Sequence, residues 1–167
     1  MATVTLKGTP IDISGNLPPV GSRAPDFKLV GEGLQDVSLG NFKGKKKILN
    51  IVPSLDTSVC ATSARKFNER AKEIPNCAIL FISADLPFAS ERFRSNEGLT
   101  EIVTLSMMRS RDFARDYGVL ITSGPLTGIC ARAVVVLDEN DQVVHTELVS
   151  EIAREPNYEL VLTAIKR

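Results

Sequence analysis

The sequence predicts an α/β fold: a central mixed sheet flanked by helices, with a β-hairpin at the N-terminus. Three observations carry that prediction. Two continuous apolar runs, residues 47–52 and 78–83, read as buried strands. Between them Cys60, Ala64, Phe67, Ala71 and Ile74 recur at steps of four and three, which marks one face of a helix over residues 59–74. Further on, residues 132–137 and 142–148 flank the polar turn 138–141, which is a hairpin pattern.

The elements follow in order. Residues 3–6 alternate, and residues 11–13 alternate again across Gly8, Thr9 and Pro10, which predicts the N-terminal hairpin within residues 1–14. Residues 16–25 are a Pro- and Gly-rich connection, and residues 26–30 and 35–39 are short strand candidates. Gly44 and the three lysines 45–47 read as a solvated polar turn. Pro53 stops the first buried strand because it has no N–H for the ladder, and Asp56, Thr57 or Ser58 can cap the helix behind it. Pro87 suits the first turn of a short helix over residues 87–93. Residues 102–105 form a short strand, and residues 110–117 a helix that ends at Gly118. The closing helix, residues 157–165, places Tyr158, Val161, Leu162 and Ile165 on one face. This layout fits one thioredoxin-like domain over residues 1–167, without internal repeats.

Composition excludes several function classes. Twenty basic and 20 acidic side chains cancel, so no field draws the chain to nucleic acid or an anionic membrane. Trp is absent, which argues against a base-stacking platform. No stretch approaches the roughly 18 apolar residues of a membrane span, and the first residues do not read as a secretory signal. Three widely spaced cysteines suit a reducing compartment, so a cytoplasmic location is expected. With one histidine and no Cys-x-x-Cys, neither a zinc site nor any other metal or cofactor is expected.

Cys60 stands in the first turn of the first helix, directly after a buried strand. A helix start favours negative charge, and the thiolate is the reactive form of cysteine. The competing reading is a small buried hydrophobe on a core stripe. The surrounding residues decide between them. Pro53-x-x-x-Thr57-x-x-Cys60 matches the active-site motif of the peroxiredoxins. Further segments resemble the bacterial thiol peroxidase branch, the atypical two-cysteine peroxiredoxins. They are Leu49-Asn50-Ile51, the run from Ala61 to Asn68, Ser83-Ala84-Asp85-Leu86-Pro87-Phe88-Ala89, Gly124-Pro125-Leu126, the run from Ala131 to Val136, and Glu155-Pro156-Asn157-Tyr158.

The resemblance implies an antioxidant thiol peroxidase that acts on hydrogen peroxide or alkyl hydroperoxides, served by a thioredoxin-type reductant and assembled as a homodimer. It also implies that Arg132 is the active-site arginine. On residue chemistry alone, Arg132 is either a cationic partner for the thiol or a solvent-facing group at a strand mouth. Thr57 offers a hydroxyl one turn before Cys60, as catalytic group, N-cap or both. Pro53 shields the sulfur, and the N–H groups of Val59 and Cys60 are candidate donors to peroxide oxygens.

One departure stands out. The branch carries a resolving cysteine after Arg-Phe, and here Arg94 stands at that position, with Ser95 beside it. Neither forms a disulfide, so an external thiol is expected to resolve the Cys60 sulfenic acid. Cys130 shares a face with Arg132 if its strand begins that early, which makes it a candidate resolving thiol. Cys77 sits in a turn away from the helix start, and His145 is expected to be structural or at the surface. Two other classes compete. A disulfide oxidoreductase lacks a neighbouring thiol. A peroxide sensor would be oxidised at Cys60 without efficient turnover.

Overall fold

The computed structural model describes residues 2–166; Met1 and Arg167, the ends of the expected domain, lie outside the described residues. In chain order the strands are β1 (Thr3–Leu6), β2 (Thr9–Asp12), β3 (Leu29–Val30), β4 (Asp36–Val37), β5 (Lys46–Ile51), β6 (Cys77–Ser83), β7 (Ile102–Ser106), β8 (Ala133–Leu137) and β9 (Val143–Leu148). The α-helices are α1 (Ser58–Arg70), α2 (Pro87–Glu97), α3 (Asp112–Asp116) and α4 (Tyr158–Ile165).

Seven strands form one mixed sheet in the order β4-β3-β7-β6-β5-β8-β9. The two apolar runs, β5 and β6, pair in parallel, and β7 extends the parallel set. β8 lies antiparallel on the other side of β5, and β9 closes that edge. Alternate side chains pass to opposite faces. Ile48, Val52, Ile79, Phe81, Val134 and Val136 pack under α1 and α4, against Cys60, Ala64, Phe67, Val161 and Ile165. Leu49, Ile51, Leu80, Ile82 and Val135 pack on the other face against Phe113, Tyr117 and Cys130. This is the thioredoxin-like arrangement that the sequence predicts. Among the described residues no helix is long and apolar enough to cross a membrane.

The N-terminal hairpin is a separate two-stranded sheet. Its turn is Lys7-Gly8, both with positive φ (50° and 83°), rather than the Gly8–Pro10 stretch that the sequence suggests. Two-residue hairpin turns of this kind need that backbone, and Gly supplies half of it without strain. Pro10 is tolerated in the second strand because this small sheet consists of edges.

Several boundaries move for physical reasons. The expected strand 26–30 shrinks to β3, because the Asp26 carboxylate accepts from the N–H groups of Phe27 and Leu39 and turns the chain instead. The expected strand 35–39 shrinks to β4, and Ser38 and Asn41 then cap a 3₁₀ turn at Leu39–Phe42. Helix α1 stops at Arg70 and a 3₁₀ turn, Ala71–Glu73, carries the chain to buried Ile74. Helix α2 runs past Phe93 to end at Gly98, which takes the left-handed conformation. Helix α3 is shorter than expected and stops before Gly118. A Cβ on Gly118 would lie 2.1 Å from the Asn16 carbonyl oxygen, so only glycine fits there. The lysine run is not a solvated turn throughout. Lys47 is 0 % exposed and pairs with Asp141 in the β8–β9 turn, because β5 has already begun and turns its side chain inward.

Candidate active site

The site lies where the central strands end. Val52 N still donates to the Ile82 carbonyl at 3.0 Å, but Pro53 cannot continue the ladder, and the chain turns through Ser54–Thr57 into α1. Thr57 is the N-cap: its Oγ1 accepts from Cys60 N at 3.3 Å and donates to the Ser54 carbonyl at 3.3 Å. Cys60 therefore sits in the first turn, facing the sheet, and is 0 % exposed. Pro53, at the start of the loop that leads to Cys60, is buried, and Val59 is half-buried. Val59 lies in the first turn, where main-chain N–H groups have no intrahelical acceptor; the Cys60 N–H is already engaged by Thr57.

Arg132 reaches this thiol from the other side. It precedes β8 rather than opening it, and it is 2 % exposed. Its Nη1 donates to Cys60 Sγ at 3.1 Å and its Nε to the Ile152 carbonyl at 2.8 Å. A buried guanidinium is costly unless its donors are used, and these two bonds aim it. The Ile152 carbonyl is in turn held by the N-terminal hairpin. Ile152 N donates to the Thr5 carbonyl at 2.9 Å, and Thr5 N to the Ser150 carbonyl at 2.8 Å. The Glu151 carboxylate accepts from the Thr5 hydroxyl and from Lys7 N and Gly8 N, which holds its pKa down to about 2.

The sequence alone did not reveal several supporting residues. Asn50 donates to Ser63 Oγ at 3.1 Å beneath α1, which ties the second helical turn to β5. Glu155 accepts from the Tyr158 hydroxyl and pairs with Lys66, so its carboxyl lies below the usual range, with Arg132 adding a smaller push the same way. Asp85 accepts from Ser54 Oγ and Leu55 N. The resemblance runs through Asp85, Glu155 and Tyr158; Glu155 and Tyr158 are near neighbours, but the ties of Asp85 to Ser54 and Leu55 and of Glu155 to Lys66 span too much chain for spacing to reveal them.

The other expected residues are placed elsewhere. Cys130 lies in the loop before β8, bridged to Leu120, and packs on the opposite face of the sheet from Cys60. Its sulfur contacts Met107 Sδ at 3.7 Å, and burial pushes its thiol up to about 12. The face it would share with Arg132 requires a strand that starts earlier than β8 does, so the structure does not bring Cys130 to Cys60. Cys77 begins β6, paired with Lys46 at the far end of β5. About six residues of strand at roughly 3.3 Å each separate that end from the site, far beyond the Cα spacing of a disulfide. Arg94, on α2, donates to the Ile102 carbonyl and to Glu91 and Glu32. His145 lies on β9 opposite Val136, which pairs with Ile48 well below the strand ends. Among the described residues, no group of three or more His, Cys, Asp or Glu side chains is arranged to hold a metal ion.

Comparison with known proteins agrees with this architecture. The Redoxin family model matches residues 19–162. A thiol peroxidase from Leptospira interrogans is 49 % identical over 166 residues, covering 98 % of this chain and 97 % of that protein. The crystal structure of a peroxiredoxin-like protein from Aquifex aeolicus superposes with a TM-score of 0.92 at 41 % identity, over 98 % of this chain and 95 % of the other. A thiol peroxidase from Chromobacterium violaceum gives the same TM-score and coverage at 26 % identity. The chain is thus a member of the Redoxin family, an enzyme of its bacterial thiol peroxidase branch.

Proposed function

We propose that this chain reduces hydrogen peroxide and alkyl hydroperoxides through a sulfenic acid on Cys60, in antioxidant defence. The observation that carries this reading is the 3.1 Å hydrogen bond from the Arg132 guanidinium to the Cys60 sulfur, between two groups withdrawn from water at a helix start. A permanently charged donor stabilises negative charge on sulfur, and the thiolate is the nucleophile. The thiolate attacks one peroxide oxygen. The O–O bond breaks, its electron pair goes to the second oxygen, and that oxygen takes a proton and leaves as water or an alcohol. Sulfur is oxidised to Cys–SOH as the peroxide is reduced. Arg132 also faces the charge that develops on the leaving oxygen. Val59 and Cys60 offer first-turn N–H groups to the peroxide, the latter shared with Thr57 Oγ1. Thr57 fixes the loop and the first turn, and Pro53 shields the sulfur.

Resolution comes from outside the subunit. Arg94 supplies no thiol, Cys130 lies on the other sheet face and Cys77 at the other end of the strands. A thioredoxin-type dithiol attacks the Cys60 sulfur, releases water and forms a mixed disulfide. Its second thiol then frees Cys60 and leaves the reductant as a disulfide. We assign the protein to the cytoplasm, where its three unpaired cysteines persist, and expect the homodimer that the family resemblance implies. The same lack of a resolving thiol favours a second reading, a peroxide sensor that stops after one oxidation.

The test is peroxide consumption with thioredoxin, thioredoxin reductase and NADPH. Sustained turnover is expected for the native chain, and none above background for Cys60→Ser. Consumption by Cys60→Ser would remove Cys60 from the mechanism. About one turnover per native chain would favour the sensor.

A further inference from the structure

Asp85 lies at the turn from β6 into α2, and the peroxide chemistry above does not use it. Its carboxylate accepts three hydrogen bonds, from Ser54 Oγ, Leu55 N and Ser83 Oγ, each at 2.7 Å. Its own N–H donates to Ser83 Oγ at 3.2 Å, and its carbonyl accepts from Ser106 Oγ at 2.5 Å. Ser83 ends β6 and Ser106 ends β7, its parallel neighbour. One aspartate thus fastens the loop after β5 to the ends of its neighbour β6 and of β7 beyond it.

The loop depends on this fastening. The side-chain bond of Ser54 and the main-chain bond of Leu55 to the rest of the fold both go to Asp85. The next two bonds stay within the loop: Asp56 N donates to Ser54 Oγ at 3.1 Å, and Thr57 Oγ1 donates to the Ser54 carbonyl. Thr57 then caps Cys60 N. A continuous path of hydrogen bonds therefore runs from Asp85 through Ser54 and Thr57 to the first turn that carries the thiol. A carboxylate holds such donors more firmly than a neutral acceptor does.

The loop also faces two opposed demands. Attack on peroxide needs the sulfur held against Arg132. Resolution needs an external thiol to reach a sulfur that is fully buried when the loop is closed. We propose that Asp85 is a positioning residue that latches the Ser54–Thr57 loop closed over Cys60, favouring attack on peroxide and limiting access of outside reagents to the sulfur. The inference rests on Cys60 as the peroxide-attacking thiol, but its first readout does not.

The first readout is the alkylation rate of each cysteine by iodoacetamide without peroxide, followed by peptide mapping. The second is the rate of Cys60 oxidation by hydrogen peroxide in single turnover. Asp85→Ala is expected to raise the alkylation rate of Cys60 and lower its oxidation rate, each by roughly tenfold, the scale of one lost charge-assisted bond. Asp85→Asn keeps an acceptor for Leu55 N–H and is expected to recover most of both rates. Cys130, on the opposite face, reports general loosening, and its alkylation rate is expected to stay unchanged. Ser54→Ala removes one tie while sparing the carboxylate, and carries the same test with a smaller change should Asp85→Ala not fold. Parallel rises at Cys60 and Cys130 would overturn the latch in favour of general destabilisation. An unchanged Cys60 alkylation rate, or an unchanged oxidation rate, in a folded variant would also overturn it. Loss of the peroxidase reading itself would show separately, as consumption by Cys60→Ser.

Discussion

Cys60 and Cys130 are both 0 % exposed, yet they lie on opposite faces of one sheet in opposite electrostatic settings. Cys60 has a guanidinium nitrogen 3.1 Å from its sulfur and stands at a helix start. Cys130 has a thioether 3.7 Å away and apolar neighbours, and burial pushes its thiol up to about 12, with Arg111 only weakly opposing. Burial therefore does not distinguish the two thiols; the neighbouring charge does. A buried thiol without a charged partner stays protonated; one with a fixed cation has a route to the anion. The two sites also differ in their support. Cys130 needs only packing, whereas the Cys60 pair is held by Asp85 on the sulfur side and by the N-terminal hairpin, through Ile152, on the guanidinium side.

The sharpest way to break this contrast is to remove the cation. Arg132→Met keeps length and apolar bulk but no donor. The rate of Cys60 oxidation by peroxide at neutral pH is expected to fall by about a hundredfold or more, in single-turnover assays. A rate within a few-fold of native would show that charge is not what separates the two thiols. Cys130→Ala is the converse variant. Its peroxide rate is expected to match the native one, with a stability loss of about 1 kcal/mol from lost packing, read as a lower denaturation midpoint.

A third prediction concerns alkaline stability. Folding raises the Cys130 thiol from 9.0 to about 12, so the folded chain keeps a proton that the unfolded chain loses. That contribution is complete below about 9, declines as pH rises above it, and is gone once pH passes the folded value. Denaturant midpoints measured across that window are expected to fall less steeply with pH for Cys130→Ala than for the native chain. Equal slopes would contradict the packed, uncharged setting of Cys130.

The smallest effect is expected at the hairpin. The Glu151 carboxyl is held down to about 2 by the Thr5 hydroxyl first and then by Lys7 N and Gly8 N. A depressed carboxylate stabilises above its ordinary value of 4.5 and ceases to do so as pH falls towards 2. Glu151→Gln is expected to flatten the acid limb of the stability profile and to slow Cys60 oxidation only a few-fold, because the Ile152 carbonyl still receives Arg132. An unaltered acid limb would show that this carboxylate does not fasten the hairpin.

Much of the site was legible because its parts are local. Pro53, Thr57 and Cys60 lie within one strand end and one helical turn, where propensity and capping rules act over a few residues. Arg132 is 72 positions from Cys60; residue chemistry left it either a cationic partner or a solvent-facing group, and the family resemblance favoured the first. Asp85 and Ile152 escaped because they act through partners 30 and 20 residues away, one of them by a main-chain carbonyl. The side on which Cys130 packs turned on where β8 begins, a boundary that apolar periodicity leaves uncertain by a few residues. Lys47 misled for the same reason. Three lysines in a row look solvated until the strand register turns the third inward onto Asp141.

In the proposed mechanism Cys60 alone takes the oxygen, and no thiol of the same subunit resolves it. The most direct measurement is intact mass after one equivalent of hydrogen peroxide without reductant, with dimedone trapping and peptide mapping. The account predicts one trapped sulfenic acid, on Cys60, with Cys77 and Cys130 unmodified. An internal disulfide from Cys60 to either, or oxidation that begins at Cys130, would contradict it.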